Sequence, residues 1–280
     1  MTEPRFAFVP VMDHEIHVTE WGTPGAPALL MMHGLARTGR DFDEIAASLS
    51  DTYHVICPDM IGRGLSSWST NPDVEYSVEY YAGIASDLMD HYRLDRVAWF
   101  GTSLGGQIGM RIASGAHADR LTCCLLNDIG PEVPDAAIDR IQSYVGNPPK
   151  FDSFATAETW LRDTYSPFGP ASDAFWHRMA RCSLRRLADG QLTLHYDPAI
   201  IRQLASDRRV MSWDRWARIT TPCHLFHGAL SDLVSSDTVD RMRRSGSKPE
   251  TTMLPDCGHA PTLSRESDIL RVRQVLNELV

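Results

Sequence analysis

The 280-residue sequence lacks several features that mark whole classes of protein. No apolar run approaches the roughly 20 residues that a helix needs to cross a bilayer, and the N-terminal MTEPRFAFVP has neither a basic segment nor a long apolar one. No block of Lys and Arg stands out, and the net charge is −9, from 27 basic and 36 acidic residues. Such a surface repels a phosphate backbone. We therefore expect a cytoplasmic protein that binds neither nucleic acid nor membrane.

Metal sites and disulfides also have no pattern in this chain. The six cysteines form no CxxC pair and no metal-ligand spacing; they are Cys57, Cys123, Cys124, Cys182, Cys223 and Cys257. His224 and His227 form an HxxH pair, but they flank a strand-like run, and no carboxylate stands at a helpful spacing. The sequence therefore implies no metal and no organic cofactor.

What is present is an alternation of short apolar strands with amphipathic helices, which predicts an α/β protein with a mostly parallel central sheet and helices on both faces. The predicted strands are Arg5–Val11, Glu15–Trp21, Ala28–Met32, His54–Cys57, Arg96–Phe100, Leu121–Leu126, Pro222–Phe226 and Thr251–Leu254. The alternation stops in residues 131–212, where we expect a helical insertion without a buried strand. The predicted domains are thus a core of residues 1–130 and 213–280 and a helical cap of residues 131–212.

A candidate nucleophile lies where a strand gives way to a helix, in WFGTSLGGQ at residues 99–107. Ser103 on a sharp strand-to-helix turn would adopt a strained backbone, and Gly101 and Gly105 would remove the collisions that side chains there would cause. The hydroxyl would then stand at the carboxyl edge of the sheet, where open α/β folds bind ligands. The sequence therefore predicts Ser103 as a catalytic nucleophile.

A serine hydroxyl needs a general base, and His259 in CGHAP follows the last predicted strand. Two acids could orient this imidazole, because each follows a strand beside the turn. They are Asp232 in HGALSDLVSS and Asp128 in CLLNDIGP. We favour Asp232 and keep Asp128 as the alternative; both lie between the serine and the histidine, in the order Ser, acid, His.

The remaining site residues are assigned to an oxyanion hole and a substrate pocket. The backbone N–H groups of Leu35 and Leu104 are the predicted oxyanion donors, with His33 supporting the loop that carries Leu35. Aromatic residues of the cap and its return to the core would line the pocket beside His33. The predicted pocket residues are His33, Trp160, Trp176, Trp213 and Trp216.

These residues together make the chain similar to the α/β-hydrolase family with a helical cap. The resemblance extends over nearly the whole length: His33-Gly34-Leu35, the stretch DMIGRGLS at residues 59–66, GTSLGG at residues 101–106, Asp232, and Gly258-His259. It implies a serine hydrolase that cleaves a small to medium carboxylic ester or lactone, with a small-molecule substrate. An exposed apolar cap face would also allow a homo-oligomer.

Other activities of the same fold remain open alternatives. Epoxide hydrolases and haloalkane dehalogenases carry Asp where Ser103 stands, so the chain departs from both. Carbon–carbon bond hydrolases usually have Asn and Trp where Thr102 and Ala260 stand, which weakens that assignment. A cofactor-independent dioxygenase would use His259 and Asp128 as a dyad. A non-catalytic ligand-binding protein on this fold is the alternative of another class.

Overall fold

The computed structural model describes residues 3–206 and 212–280, so residues 207–211 of the predicted cap lie outside the described part. The chain before the cap forms six strands and four helices. They are β1 (Arg5–Val11), β2 (His14–Trp21), β3 (Ala28–Met32), α1 (Asp43–Leu49), β4 (His54–Pro58), α2 (Pro72–Glu75), α3 (Val78–His91), β5 (Val97–Thr102), α4 (Leu104–Ala113) and β6 (Leu121–Asn127). Short 3₁₀ segments cover Gly39–Phe42 and Ala118–Arg120.

The cap and the returning core complete the described elements. The cap contains α5 (Asp135–Val145), β7 (Lys150–Phe151), α6 (Phe154–Thr164), α7 (Asp173–Ser183), β8 (Leu184–Arg186), β9 (Leu192–Leu194) and α8 (Gln203–Ser206), with 3₁₀ segments at Ser166–Phe168 and Pro198–Arg202. The core then resumes with α9 (Trp213–Trp216), β10 (Cys223–Gly228), α10 (Ser236–Met242), β11 (Glu250–Leu254) and α11 (Glu266–Leu279).

The core is built on one eight-stranded sheet in the order β1-β2-β4-β3-β5-β6-β10-β11. The strands β4, β3, β5, β6, β10 and β11 are parallel, whereas β2 runs antiparallel to both β1 and β4. Each of β3 and β4 is buried along its whole length, as expected for strands covered by helices on both faces. The predicted α/β class is therefore confirmed, and the predicted strands agree with the observed ones to within two residues at each end.

The cap is not purely helical, which corrects the expectation that residues 131–212 contain no buried strand. It carries a three-stranded antiparallel sheet in the order β7-β9-β8, and all three residues of β9 are buried. Strands of two or three residues are too short to show the alternating pattern that identifies a strand. The sequence consequently predicts a helical insertion, which agrees with α5, α6 and α7, and misses the sheet.

The cap is fastened to the core through the loop that follows β4. The Gly64 N–H donates to the His195 carbonyl at 2.8 Å, and the Asp197 N–H donates to the Gly62 carbonyl at 2.7 Å. Beside them the Arg63 side chain is fully buried and donates to Gln203 Oε1 of the cap at 3.3 Å and to the Tyr81 hydroxyl of the core at 2.7 Å. Backbone and side-chain bonds therefore hold one edge of the cap on the core.

Helix α4 packs so closely on the sheet that the face of its first turn toward the sheet has no room for side chains. A Cβ on Gly105 would overlap the Met32 carbonyl oxygen at the end of β3, and one on Gly101 would overlap the backbone of Gly105.

None of the described helices is long and apolar enough to cross a membrane.

We predict that Gly105→Ala destabilises the protein by roughly 1 to 3 kcal/mol or more, because the rigid backbone of β3 must move to admit the methyl group. Gly83→Ala in α3 is the matched control, since its Cβ would approach only the flexible Met12 Cε, at 2.9 Å. There the gain in helix propensity keeps the change within about 1 kcal/mol. Urea unfolding of both variants provides the measurement, and equal losses would contradict the packing argument.

Candidate active site

Ser103 occupies a strained turn between β5 and α4. Its backbone has φ 52° and ψ −114°, in a region that residues other than glycine rarely adopt. The close contact between Gly101 and Gly105 leaves space for this turn, as the sequence predicts. The strain places the hydroxyl at the carboxyl edge of the sheet.

His259 lies in the loop after β11 and faces the serine. Its Nε2 is 2.9 Å from Ser103 Oγ, and its Nδ1 is 2.8 Å from Asp128 Oδ2. An ionised carboxylate only accepts hydrogen bonds, so the Nδ1–H donates to Asp128 and Nε2 accepts from the serine hydroxyl. This is the arrangement in which an imidazole can remove the serine proton.

Asp128 follows β6, is fully buried, and receives hydrogen bonds from several elements. Besides His259, its donors are His227 Nδ1 at 3.0 Å, the Gly228 N–H at 3.0 Å and Ser231 Oγ at 2.6 Å. Burial by itself raises the pKa of a carboxyl, but the bonds from His227, His259 and Ser231 outweigh it and lower the pKa of Asp128. The buried carboxyl is therefore held in its ionised form.

Asp232, the acid that the sequence favours, does not reach His259. Its side chain is 49% exposed and forms a two-bond pair with Arg140 of the cap, at 2.6 and 2.9 Å. The loop after β10 turns so that Ser231, and not Asp232, points at the imidazole's partner. The structure therefore places the alternative, Asp128, beside His259.

His227 and Ser231 are two residues of this network that the sequence analysis misses. The HxxH pair is examined only as a metal site, whereas His227 ends up beside Asp128 because β10 pairs with β6, with Phe226 opposite Asn127. The cue in the sequence is a histidine at the carboxyl end of a strand. Its neighbour is set by strand order, which local sequence does not encode.

The predicted oxyanion donors flank the serine. Both Leu35 and Leu104 lie against cavities that also contact Ser103, and among the described residues neither backbone N–H has a hydrogen-bond acceptor. The Leu35 carbonyl is fixed from behind by Arg63 Nε at 2.7 Å. The peptide that carries the Leu35 N–H is the preceding one, and its Gly34 carbonyl is contacted by His33 Nδ1 at 2.7 Å, so the peptides on both sides of Leu35 are held.

Two cavities open on either side of Ser103. The first, which we call the His259-side cavity, is lined by His259, Arg37, Tyr165 and Phe175 among others and encloses about 800 Å³, part of it open to solvent. The second, the Leu104-side cavity, is lined by Leu104, Gln107, Ile138 and Trp213 among others and encloses about 1080 Å³, likewise partly open. Cap residues contribute to the walls of both, so the site is covered from the cap side.

Of the five predicted pocket residues, only Trp213 is among the described residues that line either cavity; it lines the Leu104-side cavity. Trp216 is fully buried in the core, and its Nε1 donates to the Ser245 carbonyl at 3.0 Å. Trp160 packs against Phe151 and Tyr165 inside the cap, and Trp176 packs against Phe175. The remaining residue, His33, is fully buried behind the Leu35 loop.

Trp160, Trp176 and Trp216 pack inside the cap or the core because large apolar side chains are mostly buried in folded proteins. The walls are formed instead by other residues, among them the aliphatic Ile138 and Ile141 and the cap aromatics Tyr165 and Phe175. In the part of the chain that the structure describes, no group of three or more His, Cys, Asp or Glu side chains is arranged to hold a metal ion.

Comparison with known proteins identifies the family. A model of the alpha/beta hydrolase family matches residues 29–272. A 3-hydroxybutyrate-oligomer hydrolase of Cupriavidus necator is 35% identical over 275 residues, covering 92% of this chain and 93% of that protein.

Solved structures give the same result. A Rickettsia typhi protein superposes with a TM-score of 0.89 at 27% identity, covering 99% of this chain and 97% of that one. An alpha/beta hydrolase from Novosphingobium aromaticivorans gives a TM-score of 0.88 at 29% identity, covering 99% of each chain. The resemblance inferred from the motifs is confirmed, and the chain belongs to the alpha/beta hydrolase family.

Proposed function

We propose that this hydrolase cleaves carboxylic esters through a serine acyl-enzyme, with Ser103, His259 and Asp128 as the catalytic triad. The observation that carries the proposal is the continuous hydrogen-bonded chain from Ser103 Oγ to His259 Nε2 (2.9 Å) and from His259 Nδ1 to Asp128 Oδ2 (2.8 Å). It supports nucleophilic catalysis because the base contacts the nucleophile on one side and its orienting acid on the other.

The reaction follows from the same contacts. Ser103 Oγ attacks the ester carbonyl while His259 takes its proton, and Asp128 stabilises the imidazolium that forms. The negative oxygen of the tetrahedral intermediate is bound by two N–H groups: that of Leu35, in the loop after β3, and that of Leu104, at the start of α4. His259 then gives its proton to the departing alcohol, and water attacks the acyl-enzyme by the same steps in reverse order.

The substrate class is suggested by the cavities and by the relative. Two cavities with mainly apolar walls meet at Ser103, which suits an ester with a chain on both sides of its carbonyl. The Cupriavidus necator relative is named for the hydrolysis of 3-hydroxybutyrate oligomers, and it matches over nearly its full length. We therefore propose short oligoesters of hydroxyalkanoic acids as the substrates, in place of the broader class of esters and lactones.

The dyad alternative is less well supported than the triad. A dioxygenase that uses His259 and Asp128 for proton abstraction would not need the serine hydroxyl to occupy Nε2. Here the hydroxyl is hydrogen-bonded to Nε2 and held on a strained turn that presents it at the sheet edge. That strain is intelligible if the hydroxyl is the reacting group.

The loop that carries Leu35 depends on an uncharged histidine. The Met60 N–H donates to His33 Nε2 at 2.9 Å, so the proton lies on Nδ1, which donates to the Gly34 carbonyl at 2.7 Å. Burial lowers the pKa of His33 to about 4. Protonation would put a second hydrogen on Nε2, opposite the Met60 N–H, and would break the support of this loop.

We predict that Ser103→Ala and Asp128→Asn each lower kcat for a p-nitrophenyl ester by about ten-thousandfold or more. The serine variant should also lose the rapid initial release of p-nitrophenol in stopped-flow measurements, because no acyl-enzyme can form. Asp232→Asn is the matched control and should retain wild-type turnover, since it pairs with Arg140 and does not contact His259. Substantial turnover by Ser103→Ala would refute the acyl-enzyme and return the dyad to consideration.

We predict that His33 makes the protein less stable as pH falls below its unfolded pKa of about 6.5. Because the folded pKa is lowered, the unfolded chain binds more protons, and about 2 kcal/mol of unfolding free energy is lost between pH 7 and pH 5. His33→Gln, which does not titrate, should show a correspondingly smaller loss in urea unfolding at the two pH values. His117→Gln, at an exposed position, is the control and should behave as the wild type. Equal pH dependence in all three proteins would contradict this assignment.

A further inference from the structure

One charged side chain in the His259-side cavity has a donor that the fold does not use. Arg37 is 5% exposed and lines this cavity together with Ser103 and His259. Its Nε and Nη2 donate to the two carboxylate oxygens of Asp41, at 2.8 and 2.6 Å. Its Nη1 is buried and forms no hydrogen bond with any residue that the structure describes. An unsatisfied donor on a buried guanidinium is costly unless a ligand supplies an acceptor.

The position of Arg37 relative to the serine is set by Gly34. A Cβ on Gly34 would lie 3.8 Å from Arg37 Cγ and 3.8 Å from Ser103 Cβ, so both side chains start beside the same point. The ring of Tyr165, from the cap, covers the guanidinium at 4.9 Å. Arg37 is therefore held between Asp41 and Tyr165, in the wall of the cavity that adjoins the nucleophile.

The chemistry of the triad decides which half of an ester enters this cavity. The departing alcohol oxygen must receive its proton from His259 Nε2, so the alcohol half has to lie beside His259. His259 lines the cavity that contains Arg37 and does not line the Leu104-side cavity as described. The alcohol half thus occupies the His259-side cavity, and the acyl half occupies the Leu104-side cavity.

We propose that Arg37 binds a carbonyl oxygen on the alcohol half of the substrate through its Nη1 and thereby selects hydroxyalkanoate esters over simple ones. This inference rests on the proposed function, since it assigns a subsite of the same reaction. In an oligomer of a 3-hydroxy acid, the alcohol half carries a further carbonyl group, and two carbon atoms separate its carbon from the ester oxygen that is cleaved. That group is either the next ester of the chain or the terminal carboxylate.

The charge of the subsite favours the ester over the carboxylate. Arg37 is already neutralised by Asp41, whose side chain is 20% exposed. A carboxylate placed there would add a net negative charge to a largely buried site, whereas an ester carbonyl accepts the hydrogen bond without one. Cleavage inside an oligomer, next to a further ester, is therefore expected to be faster than cleavage next to the free acid end.

The test uses three butyrate esters that share the acyl half and differ only in the alcohol. The alcohols are methyl 3-hydroxybutyrate, 3-hydroxybutyrate with its free carboxylate, and 2-pentanol, which has no carbonyl. The measured quantity is kcat/KM for each, expressed relative to the 2-pentyl ester. For the wild type we expect a preference for the methyl 3-hydroxybutyrate ester; for Arg37→Met and Arg37→Lys this preference should fall by about tenfold or more.

The lysine variant and two further variants make the result specific. Arg37→Lys keeps a cation beside Asp41, so it guards against misfolding of the methionine variant. Arg40→Lys is the matched control, because Arg40 forms the same two-pronged pair with Asp43 but lines neither cavity, and it should keep the wild-type preference. Asp41→Asn removes the neutralising charge and should shift the preference toward the free carboxylate.

The possible results separate this inference from the proposed function. If the wild type cleaves none of the esters, or if Ser103→Ala cleaves them equally well, the proposed function itself fails. If the wild type cleaves them and the relative kcat/KM values are the same in Arg37→Lys and Arg37→Met, the inference about Arg37 is overturned. If the wild type instead prefers the ester with the free carboxylate, and these variants lose that preference, Arg37 still binds the alcohol half. The group that it binds is then the terminal carboxylate of the chain and not the next ester.

Discussion

The close contact between the backbone of Gly101 and that of Gly105 is the constraint on which the site depends. It brings the first turn of α4 against β3 and β5 at a distance that no side chain would permit. Only at that distance can the chain reverse direction within one residue, and this residue is Ser103, with its φ of 52°. At the start of α4 the N–H of Leu104 has no hydrogen-bond acceptor among the described residues. The proposed nucleophile and one proposed oxyanion donor thus both depend on one packing interaction.

Asp128 connects the serine turn to the rest of the sheet edge. Its donors come from the end of β10, from the loop after it and from the loop after β11, so the buried carboxylate joins three separate segments. A buried negative charge requires this number of partners, because each missing one would leave its desolvation uncompensated. The requirement also explains why His227 and Ser231 lie there: they satisfy the side of the carboxylate that His259 does not use.

The sequence was sufficient for features that are determined locally. The turn at Ser103, the strands of the core and the position of His259 after the last strand each follow from a short segment and its apolar pattern. The choice between Asp128 and Asp232 depends on how the loop after β10 turns and on Arg140 of the cap, which captures Asp232. Neither is visible in a local pattern, since both acids follow strands that reach the same edge.

Three of the four predicted pocket tryptophans, Trp160, Trp176 and Trp216, line neither cavity for a related reason. Aromatic content alone does not distinguish a wall from a packed interior, and Trp216 is an interior residue whose only polar atom finds a carbonyl at Ser245. The short strands of the cap were missed because two or three residues carry no period. Long-range neighbours, rather than residue types, decided each of these cases.

Arg63 links the cap to the oxyanion loop more directly than the backbone contacts do. Its Nε donates to the Leu35 carbonyl at 2.7 Å, and its Nη2 donates to Gln203 of the cap at 3.3 Å. Because the guanidinium is planar and rigid, Arg63 ties the position of Gln203 in the cap to that of the Leu35 carbonyl. One buried side chain therefore links the seating of the cap to the residue whose N–H we propose as an oxyanion donor.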